Sequence, residues 1–174
     1  MKSPCRRIVA LAALVAAACS PALDWREFVP EGSGIGVSFP CRPDRHERAV
    51  TLAGARMPMQ MLVCSAADMT FALSFVDVAD PAAIGPTLAA LRETAVRNVQ
   101  GVAAPPAALQ MAGMTPNPAA ARVSVVGRLP DGVPVQTHAA FFARGLRVYQ
   151  ATVIGAKPAL SAVDAFIGGL KFPA

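Results

Sequence analysis

Imidazole is scarce in this chain: among 174 residues the only histidines are His46 and His138. Nucleophilic or acid–base chemistry built on a His base is confined to those two positions, and neither lies in a recognisable motif. His46, Asp44 and Glu47 form the only cluster of metal-binding side chains, without standard zinc spacing. No C-x-x-C pair is present, and Gly32-Ser33-Gly34-Ile35-Gly36 leads into a strand rather than a helix, so it is not a phosphate loop. The chain also lacks any block of Lys and Arg, which argues against nucleic acid as a partner. After Cys19 no apolar run approaches about 18 residues, so no second membrane segment is expected. Nothing in the composition asks for a cofactor.

What is present begins at the N-terminus. Lys2, Arg6 and Arg7 precede an apolar run from Ile8 to Ala18 that ends in Ala16-Ala17-Ala18-Cys19. A basic start, an apolar stretch too short to span a bilayer and small residues before a thiol are the layout of a bacterial lipoprotein signal. On this reading residues 1–18 are the signal peptide, Cys19 is acylated, and residues 19–24 form a short tether to one domain over residues 25–174. The same small residues also fit an ordinary secretory signal cut just before Cys19. Ser20 follows the cysteine where Asp would be the usual inner-membrane retention signal, so resemblance to other lipoproteins points to the periplasmic leaflet of the outer membrane. Three acyl chains hold effectively permanently, whereas a single chain binds only marginally. Removing residues 1–18 takes away three cations and no acid, so the formal charge of +5 drops by three, to +2. The apparent basicity belongs mostly to the signal.

Cys5 falls in the discarded segment and Cys19 is the anchor, which leaves Cys41 and Cys64 in an oxidising compartment where thiols tend to pair. A Cys41–Cys64 disulfide is expected. A strand lying between the two would forbid it and leave two buried thiols instead.

Along the domain, Trp25–Phe28 and Gly36–Phe39 read as short strands divided by a Pro/Gly turn cluster. Residues 42–48 read as a charged loop holding His46, leading into a strand near Glu47–Leu52. Ala53-Gly54 turns this into Met57–Cys64, and Thr70–Val76 follows, giving an antiparallel meander. Met57, Met59 and Met61 share one face as core, and Pro58 suggests an edge position or a strand start. Asp80-Pro81 is a helix start, with Asp as N-cap and Pro where its missing N–H costs nothing. Ile84, Leu88, Leu91, Ala95 and Val99 then form a helical stripe, with Arg92, Glu93, Arg97 and Asn98 facing away and Gly101 capping the end. Such a stripe is stable only when laid on a sheet. Residues 103–121 suggest one strand near Ala108–Met111 and a loop carrying Pro116 and Pro118. Strands follow at Arg122–Leu129, Val133–Ala143 and Arg147–Ile154, joined by two hairpin turns. A last helix, Ala159–Ile167, is expected to bury Leu160, Val163, Phe166 and Ile167 before Gly168-Gly169. The fold class is α+β: a central antiparallel sheet flanked by a long middle helix and a C-terminal helix.

Trp25-x-x-Phe28, Gly36-Val-Ser-Phe-Pro40-x-x-Pro43, Ala95-Val-Arg-Asn-Val-Gln-Gly101, Arg147-Val-Tyr149-Gln-x-x-Val153-x-Gly155 and Phe166–Phe172 together resemble a broad set of bacterial exported proteins related in fold to PsbP, the extrinsic subunit of photosystem II. The likeness spans nearly the whole domain, and its positions are turns, aromatic core residues and strand ends. It implies a helix-covered antiparallel sheet used in relatives as a non-enzymatic binding or assembly module. Fold alone does not fix function. The Pro/Ala-rich residues 116–121 depart from the pattern.

These observations favour a lipid-anchored envelope module acting through contacts with an envelope protein. Residues 20–24 span at most about 18 Å when extended, so the anchored domain would sit against the bilayer. Arg42, Arg45 and Arg48 are read as a solvated face, with anionic head groups as the other possible contact. The alternatives are a periplasmic carrier of a small apolar ligand and a hydrolase. A deep cavity lined by Phe and Met would favour the carrier, and a filled core with an exposed edge or apolar patch would favour a partner surface. His138, mid-strand beside Gln136 and Ala140, reads as a sheet residue, and a Ser or Asp within its reach in a cleft would favour the hydrolase. Asp77 and Asp80 flank the helix start, where capping accounts for Asp80.

Overall fold

The computed structural model describes residues 23–173. The expected signal peptide (residues 1–18), Cys19 and most of the expected tether lie outside the described residues. Two meanders meet at the middle of one antiparallel sheet. The first is β3 (Asp44–Leu52), β4 (Ala55–Ala66) and β5 (Met69–Asp77). The second is β8 (Ala121–Arg128), β9 (Pro134–Arg144) and β10 (Arg147–Gly155). β5 pairs with β10, from Arg147 opposite Asp77 to Gly155 opposite Met69, giving the order β3-β4-β5-β10-β9-β8. The outer edge of β8 is paired by two short strands, β6 (Val102–Ala103) and β7 (Ala107–Ala108).

Period-two alternation sends each strand's apolar residues to two separate cores. On one face lies α1 (Ile84–Asn98), whose Ile84, Leu88, Leu91 and Ala95 pack with Val76, Val123, Val125, Phe141 and Val148. On the other lie α2 (Leu160–Gly168) and a separate hairpin of β1 (Arg26–Phe28) and β2 (Val37–Phe39), which cover Phe71, Leu73, Phe142, Tyr149 and Val153. Phe166 meets Phe39 and Phe71 edge-on at centroid distances of 5.1 and 5.4 Å. Met59 is buried on the α1 face with Met57 and Met61 against it, while Leu62 and Cys64 enter the other core, as the alternation requires. The mixed α and β architecture and the two helices agree with the sequence reading.

Several local expectations are corrected. The charged residues 44–48 are not a loop but the first half of β3, exposed on both faces as a sheet edge that charge protects from further pairing. His46 is therefore a strand residue. Pro58 does not mark an outer strand, since β4 lies between β3 and β5. It sits where the β5 register has already ended at Gln60 opposite Phe75, so no partner on that side needs its N–H. Asp80 does cap, accepting from the Ala82 amide at 2.8 Å, but the turn it caps is a 3₁₀ turn at Pro81–Ala83 ahead of α1. At the far end Gln100, not Gly101, takes the left-handed conformation, and the Gly101 amide reaches the Val96 carbonyl at 3.0 Å to close a Schellman turn. Gly101 is glycine for space: a Cβ there would lie 2.5 Å from Val125 Cγ1. The expected strand at residues 108–111 is replaced by β6 and β7. Leu160 is not buried but 65% exposed, because α2 begins there and turns Ala162, Val163, Phe166 and Ile167 inward.

Candidate functional site

Segment 102–108 is what keeps β8 from being a bare edge. It runs back along β8 as β6, arches through Pro105 and Pro106, and ends as β7. Between the two strands the Ala104 amide donates to the Ser124 carbonyl at 2.8 Å. The two prolines offer no N–H to an incoming strand. Val102 and Val126 are cross-strand partners, 79% and 64% exposed, on the sheet face that α2 only partly covers.

His138 lies on that face. Its Nδ1 is 2.9 Å from Ser124 Oγ, directly opposite in the β8–β9 register. A shallow cavity of about 300 Å³ opens beside the pair, walled by Ala104, Pro105, Leu160 and Val163. Arg122 and Asp164 form an ion pair at 3.1 Å on its rim. Burial holds the His138 pKa below its ordinary value, Arg122 adds to the depression and Asp164 opposes it. The imidazole is thus biased towards neutrality, as a base requires. Its Nε2 is buried with no hydrogen-bond partner among the described residues, which either tautomer leaves unsatisfied. A serine nucleophile is within reach of a base, but the carboxylate that could orient the ring is engaged by Arg122.

A longer groove starts at the arch, with Arg92 as its one α1 residue in the first cleft and with Leu109, Met111 and Met114, which also pack on the α2-side core, along its other wall. Between α1 and residues 106–121 is a cleft of about 750 Å³ floored by Ala121 and lined by Leu109, Met111, Met114, Pro116 and Pro118. It adjoins a second cleft of about 630 Å³ between the end of α1 and residues 100–106, floored by Val123. Arg92 and Pro106 border both. Arg92 is half-buried, and no side-chain hydrogen bond or ion pair joins it to any described residue.

The remaining candidates are placed elsewhere. The Cys41 and Cys64 sulfurs stand 2.09 Å apart with Cα atoms at 6.0 Å, at disulfide distance between the end of β2 and β4. His46, Asp44 and Glu47 lie along β3, where Glu47 is instead bonded by Gln60. Among the described residues no group of three His, Cys, Asp or Glu is placed to hold a metal ion. Asp77 and Asp80 do not work as a pair. Asp77 receives two 2.6 Å hydrogen bonds from Arg147 Nε and Nη2, and Arg147 Nη1 also donates to the Gly32 carbonyl. The Tyr149 hydroxyl donates to the Ser33 carbonyl at 2.7 Å, and burial raises its pKa. These bonds pin the Gly32–Gly36 turn to the sheet, so that glycine run is a structural clasp.

The sequence singled out His138 but not its bond to Ser124, for which the period-two register of two adjacent strands was the available signal. The groove had no such signal, because Ala and Pro carry little periodic contrast. No helix among the described residues is long and apolar enough to cross a membrane. No family model matches the sequence, and no curated protein matches it.

Proposed function

We propose that the protein is a lipid-anchored, non-enzymatic binding module of the bacterial envelope, with a PsbP-like fold, held by Cys19 at the periplasmic face of the outer membrane and acting on an envelope protein. The observation that carries this reading is a filled core beside an exposed apolar edge. Phe39, Phe71, Phe141, Phe142 and Phe166 are all fully buried, so the two cores they fill are closed to a ligand, while Val102 and Val126 stand side by side in solvent. Contiguous exposed apolar surface marks an interaction site, and this cross-strand valine pair at the β6–β8 edge is the patch that supports the reading. The test is photo-crosslinking in cells from position 126, compared with the exposed position 56 beside the β3–β4 turn on the far side of the sheet. One specific envelope partner captured from 126, absent from 56 and lost with Cys19→Ser, is the expected result. Equal capture at both positions, or none, would remove the reading.

A second reading, a carrier of a small apolar ligand, is favoured by the Leu109–Met111–Met114 cleft that begins at Arg92. A hydrolase has only the Ser124–His138 pair in its favour, with no third group on the imidazole.

A further inference from the structure

We infer that the groove running from Arg92 of α1 along residues 106–121 is a binding site for a single-chain anionic amphiphile, with its carboxylate on Arg92 and its alkyl chain along the half-buried Leu109, Met111 and Met114. This deepens the carrier reading given above. Three observations converge on it. The groove is long, since two clefts of about 750 and 630 Å³ meet at Arg92 and Pro106. Ligand sites of this size are typically apolar with a few placed polar groups. Its polar group is unexplained by the fold: Arg92 is half-buried on α1, yet neither ion pair nor side-chain hydrogen bond holds it. By contrast Arg97, one turn further on, is bonded to Thr94 at 2.9 Å. A guanidinium with free donors beside a Leu- and Met-lined wall is suited to a carboxylate, which it can engage through two parallel hydrogen bonds.

The lining also decides between an alkyl chain and a peptide. Pro106, Pro116 and Pro118 have no N–H to pair with a peptide, and the Asn117 side-chain oxygen is engaged by the Ala119 amide at 2.9 Å, which leaves the Asn117 NH2 and Gln110 as the cleft's polar side-chain groups besides Arg92. A peptide laid here would leave main-chain groups unpaired, whereas an alkyl chain has none to satisfy. The second cleft has both Glu93 and Arg97 on its rim, whereas the first has Arg92 as its one charged residue, which sets the anionic head on the Arg92 side.

The experiment is a titration of the exported chain, carrying Cys19→Ser so that no acyl anchor competes, with hexadecanoate and with hexadecanol. Saturable hexadecanoate binding is expected, weakened about 10-fold by Arg92→Gln and largely restored by Arg92→Lys, with hexadecanol bound alike by all three. Met114→Glu should weaken both ligands. The inference is overturned if hexadecanoate does not bind, if Arg92→Gln binds it as well as the parent chain, or if Met114→Glu leaves both ligands untouched. Crosslinking from position 126 in the Arg92→Gln chain separates the two ideas, because a partner retained there survives the loss of the ligand site.

Discussion

At the scale of single residues, His138 shows how a mid-strand polar side chain acquires a definite chemistry. Its position was legible, since period two puts it on the face of Gln136 and Ala140, but the lowered pKa arises from neighbours brought by other elements. Arg122 comes from β8, Asp164 from α2, and the desolvation from the arch above. The sign of the consequence follows directly. The unfolded imidazole takes up a proton near 6.5 and the folded one only at lower pH, so between those values the unfolded state binds more protons. Stability should therefore be unaffected by this group above about pH 6.5 and fall as the pH drops below it, until the folded value is passed. Urea titrations from pH 7.5 to 4.5 on the parent chain and on His138→Gln, which keeps a group able to bond Ser124, would isolate the effect. The difference in stability between the two should change with pH in that window; a constant difference would mean that His138 titrates alike in both states.

Elements are where the sequence was most legible and where its errors have one cause. The α1 stripe from Ile84 to Val99, all six long strands and the C-terminal helix are visible because their apolar residues recur at fixed spacing. The failures lie where local signal competes with a distant neighbour. Residues 44–48 look like a solvated turn, yet β4 supplies them a ladder. Gly101 looks like a helix cap, yet its lack of a side chain serves the approach of β8. Gly127 is the other half of that approach: a Cβ there would fall well inside contact distance of the Val99 carbonyl oxygen and 2.9 Å from Gly101 Cα. Both obstacles are backbone, which cannot rotate away. Gly127→Ala should cost about 3 kcal/mol, through overpacking that forces α1 off the sheet. Gly168→Ala is the control, since its Cβ would meet open space in a helical backbone and should stabilise by about 0.5 kcal/mol. Denaturant midpoints of the two variants moving in opposite directions is the expected outcome, and similar midpoints would show that the α1–β8 junction yields more easily than its packing implies.

For the whole molecule the question is how one sheet binds two cores and an extra layer into one cooperative unit. The β1–β2 hairpin is held to the rest by side-chain packing, by the Gly36–Lys171 bridge, by the Arg147 and Tyr149 bonds to the Gly32–Ser33 turn and by the Cys41–Cys64 link to β4. The pairing was anticipated from compartment and elimination, but not its role as the tie between layers, which needs the sheet order. Closing a loop of 23 residues should stabilise the fold by about 3 kcal/mol through the unfolded chain. Paired Cys41→Ser and Cys64→Ser substitutions should remove that amount. Whether they also uncouple the hairpin layer can be read separately, because Trp25 is the only tryptophan and packs edge-on against Phe71 at 5.8 Å in the α2-side core. Far-UV ellipticity reports the sheet and α1, while Trp25 fluorescence reports the hairpin layer. If the bonds from Arg147 and Tyr149 suffice to couple the layers, the two signals should keep a common urea midpoint in the double variant, shifted down together. An earlier Trp25 transition would mean that the disulfide alone makes the hairpin part of the cooperative fold, and that reduction would release the segment leading back towards Cys19, the proposed anchor.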